Sequence, residues 1–236
     1  MPLPKIQYPI IKITIPSTKK EHSFRPFQVK EEKILLMAKE SATDRDIMIA
    51  VKQIINNCNL DDLDVEKLAT FDLEYIFIRL RIASVGHEVN VTYIDEEDQQ
   101  RISIAIDLNK VEIKWPEADH KNIIKITDTT GMVLNYPAAS VYNDDKLFES
   151  ADDFLFQLII RCVESVYDED AVYNSKDYTR KELEDFVEQL DVKTFNKVTE
   201  FLTDMPTLYY KIEYKNTKGT ERTIELRTLN DFFTFR

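Results

Sequence analysis

The stretch that decides the fold of the first third of the chain is Phe71-Asp72-Leu73-Glu74-Tyr75-Ile76-Phe77-Ile78-Arg79-Leu80-Arg81, closed by Ser84-Val85-Gly86. Its apolar residues recur at helical spacing in two stripes. One stripe contains Leu73, Ile76, Phe77 and Leu80, and the other contains Tyr75, Ile78, Ile82 and Val85. A helix that is apolar on two sides packs at the centre of a fold or in an interface. We therefore predict a central helix over about residues 72–85, which Gly86 ends because glycine tolerates a left-handed backbone.

Upstream of this helix the pattern predicts a β-hairpin and further helices. Ile11, Ile13 and Ile15 alternate with polar residues, residues 16–20 form a turn, and residues 22–27 return as a second strand. A helix then begins near Glu31, because the helix dipole favours negative charge in its first turn. We expect Asp44 to cap the next helix, which ends near Cys58, and Asp64 to cap a short third helix.

Residues 87–137 change to a period of two, which is typical of strands. Ile102, Ile104, Ile106 and Leu108 show the alternation most clearly. Since turn residues separate the alternating runs, we predict one antiparallel meander of four or five strands. The polar run at residues 95–100 is interpreted as a solvated loop within it.

The remainder is predicted to be mostly helical. Ser150 with Asp153 and Thr179 with Glu182 resemble capping boxes, which satisfy the free N–H groups of a first helical turn. The helix that begins near Ser150 is expected to run to Val166. The helix that begins near Thr179 is followed by a third, which is expected to stop before Pro206. A closing hairpin spans residues 208–226 and turns at residues 216–219. The fold class is thus α+β: an N-terminal hairpin with helices (1–86), a central antiparallel β-meander (87–138), and acidic C-terminal helices with a closing hairpin (139–236).

Charge is strongly acidic and unevenly distributed. The chain has 31 Lys and Arg against 43 Asp and Glu, for a net charge of −12. This balance argues against a nucleic-acid partner, since nucleic-acid surfaces need an excess of Lys and Arg. Residues 1–40 carry +4, whereas residues 140–205 carry −10. The acidic half indicates either a surface for a basic partner or a solvated face that keeps the protein soluble.

The residue types that carry catalysis are few and scattered. The chain contains 3 Gly, 3 His and 2 Cys. Phosphate-binding loops need closely spaced glycines, and zinc sites need neighbouring His or Cys, so we predict no catalytic residue, cofactor or metal. Cys58 and Cys162 are expected to be buried thiols of a reducing compartment, and the sequence does not tell whether they lie near each other. No apolar run is long enough for a membrane span, and the first residues do not resemble a signal peptide.

Two segments are candidates for binding a partner. The first is the acidic run Asp168-Glu169-Asp170, which lacks the glycine of a calcium-binding loop and is interpreted as part of a charged loop. The second is the aromatic tail with Phe232, Phe233 and Phe235, which is either exposed or folded into the core. Acidic pairs also leave a carboxylate-based hydrolase as a remote alternative.

Several blocks in order resemble the baseplate-hub assembly proteins of T-even-type contractile-tailed bacteriophages. They are Ser23–Leu36, the helix quoted above, Asp153–Phe156, Ile160–Asp168, Phe201–Pro206 and Leu229–Phe233. Residues 87–140 lie outside the resemblance. Some relatives carry a cysteine pair where this chain has Lys215–Gly219, so a metal-bound turn is not implied.

The resemblance implies a non-catalytic, chaperone-like assembly factor for the baseplate hub, acting in the host cytoplasm. Its partners would be other hub or tape-measure proteins, and its oligomeric state stays open. The alternative is a permanent structural subunit of the virion tail baseplate. The family's naming covers both roles.

Overall fold

The structure is a computed structural model that describes residues 6–41, 43–117, 121–150 and 153–233. Its fold is α+β, as predicted, and its paired strands run antiparallel. The chain divides into two compact units, Met1–Lys114 with Thr207–Arg236, and Trp115–Pro206. The predicted division into three regions, 1–86, 87–138 and 139–236, remains a prediction.

The N-terminal hairpin and the helices that follow it are confirmed. Strands β1 (Ile11–Thr14) and β2 (Glu21–Phe24) pair antiparallel, and helices α1 (Val29–Ser41) and α2 (Asp44–Cys58) follow. The N-cap of α2 lies one residue before the predicted Asp44. Thr43 is the N-cap, because its extended backbone lets its side chain accept the N–H of Asp46. Asp64 caps a 3-10 turn at Val65–Lys67, as expected.

Helix α3 (Thr70–Val85) is the two-sided apolar helix that the sequence predicts. Its residues Phe77 and Leu80 are buried, and Gly86 follows it with a φ of 124°. The N–H of Gly86 bonds to the carbonyl of Ile82, which closes the last turn. The helix packs against α2 and β1 within the first unit, so its central position is confirmed.

The single meander predicted for residues 87–137 is wrong, although its strands form. Among the strands of the described residues, β3 (Glu88–Ile94) and β4 (Arg101–Asp107) pair with each other and with no third strand. Strand β5 (Glu112–Lys114) instead pairs with β10 (Thr207–Lys215), which also pairs with β11 (Glu221–Leu226). The last two strands, β6 (Ile123–Lys125) and β7 (Gly131–Leu134), belong to another sheet. Alternation identifies a strand but does not identify its partner.

The second unit contains a four-stranded sheet in the order β6-β7-β8-β9, with β8 at Val163–Tyr167 and β9 at Val172–Asn174. Helices α4 (Phe154–Cys162), α5 (Arg180–Glu188) and α6 (Val192–Thr203) belong to the same unit. Their core combines residues of the sheet with residues of all three helices. It includes Met132, Leu134, Ile159, Cys162, Val163, Val187, Val198 and Phe201.

Two expectations for this unit are corrected and two are confirmed. The helix predicted to reach Val166 ends at Cys162, because β8 pairs with β7 and carries β-branched residues that suit a strand. Ser150 does not cap it: Asp153 is the N-cap and makes no side-chain cap bond. By contrast, Thr179 and Glu182 form the predicted capping box of α5, and α6 ends before Pro206.

The closing hairpin of β10 and β11 is confirmed, and a short helix α7 (Leu229–Phe232) follows it in the first unit. Thr228 and Asp231 form a capping box at its start. The N–H of Leu229 lies 3.4 Å from a carboxylate oxygen of Glu74 in α3. The end of the chain therefore packs against the central helix.

Candidate partner-binding surface

The predicted acidic run forms the turn that joins β8 to β9. The backbone N–H of Asp168 donates to the carbonyl of Ala171 at 3.1 Å. The Oδ1 atom of Asp168 accepts the N–H groups of Asp170 and Ala171, each at 2.9 Å. These backbone donors stabilise the ionised carboxylate and lower its pKa. Asp168 therefore shapes the turn, as Asp side chains commonly do.

Two tyrosines stand beside this turn. The hydroxyl of Tyr173 donates to Oδ2 of Asp168 at 2.9 Å, and this bond raises the pKa of Tyr173. Its ring lies 6.3 Å from the ring of Tyr178 in an edge-to-face arrangement. The residues Tyr173 and Tyr178 are 36% and 41% exposed, so both offer surface to a partner. Exposed aromatic faces attract Lys and Arg side chains.

Glu169 and Asp170 differ from Asp168 because their carboxylates point to solvent. Both residues are exposed, and neither side chain makes a hydrogen bond or ion pair within the described part of the chain. Asp177 adds another exposed acidic residue shortly after β9. We call residues 168–174, the turn together with β9, the acidic edge. Chemically it offers negative charge, the ring of Tyr173 next to that of Tyr178, and the outer side of a strand.

The aromatic tail has a different position from the acidic edge. Phe232 is fully buried, and its ring lies 6.5 Å from that of Tyr210. Phe233 is partly buried and contacts Phe77 of α3 edge-to-face, with ring centroids 5.8 Å apart. Of the two alternatives for the aromatic tail, exposed or folded into the core, Phe232 takes the second, and it presents no surface to a partner in this conformation. Phe235 lies outside the described residues.

The structure brings together a polar cluster that sequence reasoning missed. Asp95, expected in a solvated loop, is fully buried, and its carboxylate accepts the hydroxyl of Tyr214 and the Nε–H of Arg222. Its Oδ1 also accepts the backbone N–H of Glu97 at 2.9 Å. Nearby, Thr217 donates its N–H and hydroxyl to Asp98. The cluster fastens the loop after β3 to the hairpin of β10 and β11, and the polar composition of both loops was its only sequence signal.

The carboxylates of Asp61 and Asp64, in another acidic run of the sequence, bind backbone N–H groups. Asp61 accepts the N–H of Ser23, and Asp64 caps a 3-10 turn. Across the described ranges, His, Cys, Asp and Glu side chains do not converge in any group of three that could hold a metal ion. Cys58 and Cys162 are both buried and free, and burial raises their pKa values to about 11 and about 12. Such thiols are poor nucleophiles, because the thiolate is the reactive form.

The helices of the described residues also lack the length and apolar character that crossing a bilayer requires. Comparison with known protein families shows that a family model described as T4 bacteriophage base plate protein matches residues 8–234. Neither the curated proteins nor the solved structures provide a match. The matched residues cover most of the first compact unit, all of the second, and the acidic edge.

Proposed function

The chain belongs to the T4 bacteriophage base plate protein family, and on this premise we propose that it is a baseplate-hub assembly factor. It binds other phage proteins in the host cytoplasm during tail assembly and does not act as an enzyme. Its partners are hub or tape-measure proteins with basic surface. In this role it covers assembly-prone surface on those subunits until the complex closes.

The observation that carries this proposal is the acidic edge. Asp168 fixes the turn through two backbone hydrogen bonds of 2.9 Å, which leaves Glu169 and Asp170 projecting into solvent. Charges that are held in place but unpaired attract a basic partner and speed its encounter. Because residues 140–205 carry a net −10, the surrounding field adds to this attraction. A reversible, charge-steered contact suits a factor that must later leave the assembly.

The same geometry disfavours the hydrolase alternative. General acid–base catalysis needs a carboxylate whose pKa is near the working pH and which can reach a substrate proton. Asp168 has a lowered pKa, and backbone N–H groups and the Tyr173 hydroxyl occupy its oxygens. A carboxylate in this arrangement serves a structural purpose.

The experiment that tests the proposal is a count of the chain in purified mature virions and in tail intermediates from infected cells. Quantitative mass spectrometry against a known baseplate subunit supplies the ratio. An assembly factor is abundant in intermediates and nearly absent from virions. A fixed whole number of copies in every virion would instead identify a permanent structural subunit.

A further inference from the structure

Strand β9 ends its sheet with one side open. Its residues pair with β8 in the register Ser165–Asn174, Val166–Tyr173 and Tyr167–Val172. No strand of the described residues pairs with its other side. Val172 is 63% exposed, so the open side is accessible to solvent. An open edge of this kind is a template for one more strand.

The ladder determines which backbone groups face the open side. Asp168 bonds to Ala171 across the turn, so this pair belongs to the hydrogen-bonded set. Bonded and non-bonded pairs alternate along antiparallel strands, which places Tyr173 in the next bonded pair. The N–H and carbonyl of Val172 and the N–H of Asn174 therefore point away from β8, where an added strand would meet them.

The composition of β9 sets it apart from the other edge strands of the described residues. Natural edges are commonly protected by charged side chains, especially Lys. Each of the other edge strands contains at least one charged residue, whereas β9 reads Val-Tyr-Asn. The charged members are Lys12 in β1, Glu21 in β2, Glu88 in β3, Arg101 in β4, Glu112 in β5, Lys125 in β6 and Glu221 in β11. The lack of charge within β9 leaves its edge suited to pairing.

The surroundings select the occupant. Glu169 and Asp170 precede β9, Lys176 and Asp177 follow it, and the exposed residues Tyr173 and Tyr178 lie beside it, so the charge around the strand is net negative. Lys and Arg complement both features through charge and through contact with the aromatic faces. We propose that β9 accepts an extended basic segment of another baseplate protein as a fifth strand of this sheet. The inference rests on the proposed function, since it gives the binding mode of the same surface.

Charge disfavours a second copy of the chain as the occupant. Two β9 strands paired antiparallel would bring the turn of each copy toward Lys176 and Asp177 of the other. These two residues cancel in charge, so a second copy offers Glu169 and Asp170 no net positive charge. A basic segment supplies that charge.

The test uses the full chain and a fluorescein-labelled peptide of alternating Lys and Val, followed by fluorescence anisotropy. The control is the same Lys-Val peptide with all its backbone nitrogens methylated, which keeps the charge but has no backbone donor on either side of the strand. The first peptide should bind at least about tenfold more tightly, as expected for the loss of one or two hydrogen bonds. Equal binding of the two peptides, or no binding, would overturn the inference.

The matched variants are Val172→Pro and Val172→Ala. Proline removes the outward N–H of Val172 without removing a bond to β8, whereas alanine keeps that N–H. Val172→Pro should weaken binding of the Lys-Val peptide by about tenfold or more, and Val172→Ala by no more than about twofold. Equal effects of the two variants would overturn the proposal.

Amide hydrogen exchange of the unsubstituted chain provides a second readout that needs no variant. Saturating peptide should protect the amides of Val172 and Asn174, while that of Tyr173 is already bonded to β8. Unchanged exchange at Val172 and Asn174 would overturn strand addition. If the free chain forms dimers that Val172→Pro abolishes, the occupant is a second copy and the proposal is wrong.

The outcomes also separate this inference from the proposed function. If Glu169→Lys with Asp170→Lys abolishes peptide binding while Val172→Pro does not, charge recognition stands and strand addition fails. If Val172→Pro abolishes binding but virions contain a fixed number of copies, strand addition stands and the assembly-factor role fails.

Discussion

The hydroxyl of Tyr214 in β10 donates a hydrogen bond to the carboxylate of Asp95 in the loop after β3, and the two residues are 119 positions apart in the chain. Asp95 is fully buried and also receives bonds from Arg222 and from the backbone of its own loop. A buried carboxylate is stable only when such donors surround it. The pair therefore fixes the position of the β3–β4 loop against the closing hairpin.

Asp95→Asn should lower the melting temperature by several degrees at neutral pH, because the amide cannot accept all of these bonds. The donors hold the pKa of Asp95 below its usual range, so its stabilisation is present above the ordinary carboxyl pKa and is lost as pH falls through the lowered one. Thermal unfolding at several pH values should thus show that the difference in melting temperature between parent and variant becomes smaller in acid. A difference independent of pH would contradict this account. Tyr214→Phe, which removes one donor, should lower the melting temperature by less than Asp95→Asn does.

Glu74 is expected to show the opposite pH dependence. Burial against α7 raises its pKa to about 8, so the folded state favours its protonated form. Stability should fall as pH rises from the ordinary carboxyl range through about 8. The free energy of unfolding of Glu74→Gln, relative to that of the parent, should therefore rise between pH 5 and pH 9. The rise should be at least about 1.4 kcal/mol, the equivalent of one pKa unit. Urea unfolding at the two pH values measures the difference, and a constant difference would show that Glu74 stays ionised.

Helix α3 provides a test of the core within one element. Phe77→Ala and Leu80→Ala should each cost about 2–5 kcal/mol, because both side chains are buried and the substitutions leave cavities. Val85→Ala is the matched control, since Val85 is 59% exposed on the same helix. It should stay within about 0.5 kcal/mol of the parent. Equal, small effects at all three positions in chemical denaturation would mean that α3 is a surface helix.

Gly131 tests the register of β7 with β8. It lies opposite Tyr167, and an added Cβ atom would overlap the Tyr167 ring and lie 2.9 Å from the carbonyl oxygen of Ile124. Gly131→Ala should cost about 1–3 kcal/mol, as overpacking usually does. In a Tyr167→Ala background the same substitution should cost less, because the ring is gone and only the carbonyl contact remains. Additive costs in this double-mutant cycle would argue against the register.

The sequence predicted the elements that local patterns determine and missed those that depend on distant partners. The apolar stripes of α3 and the alternation of β1 are local, and both were correct. Strand β5 pairs with β10, which lies almost a hundred residues further along, and nothing in its own three residues indicates that partner. Val166 continues the helical spacing of Leu158 and Cys162, so a strand was interpreted as helix.

The candidate surface was predicted in part for the same reason. Composition identified the acidic run, but it did not distinguish Asp168, which shapes the turn, from Glu169 and Asp170, which face solvent. The open side of β9 was not predicted, since that strand was expected to be helical or loop. The burial of Asp95 depends on donors from the far end of the chain, and a polar run alone resembles a solvated loop.

The most direct test of the assembly role is a count of complete baseplates in cells infected by phage that lack this gene and supplied with variants of the chain. Glu169→Lys with Asp170→Lys reverses the solvent-facing charges of the acidic edge and spares Asp168. Asp185→Lys with Glu188→Lys changes the net charge equally at exposed positions of α5. We predict that the first variant folds and accumulates normally but yields few complete baseplates, while the second assembles as the parent does. Equal numbers of baseplates from both variants and the parent would contradict the account.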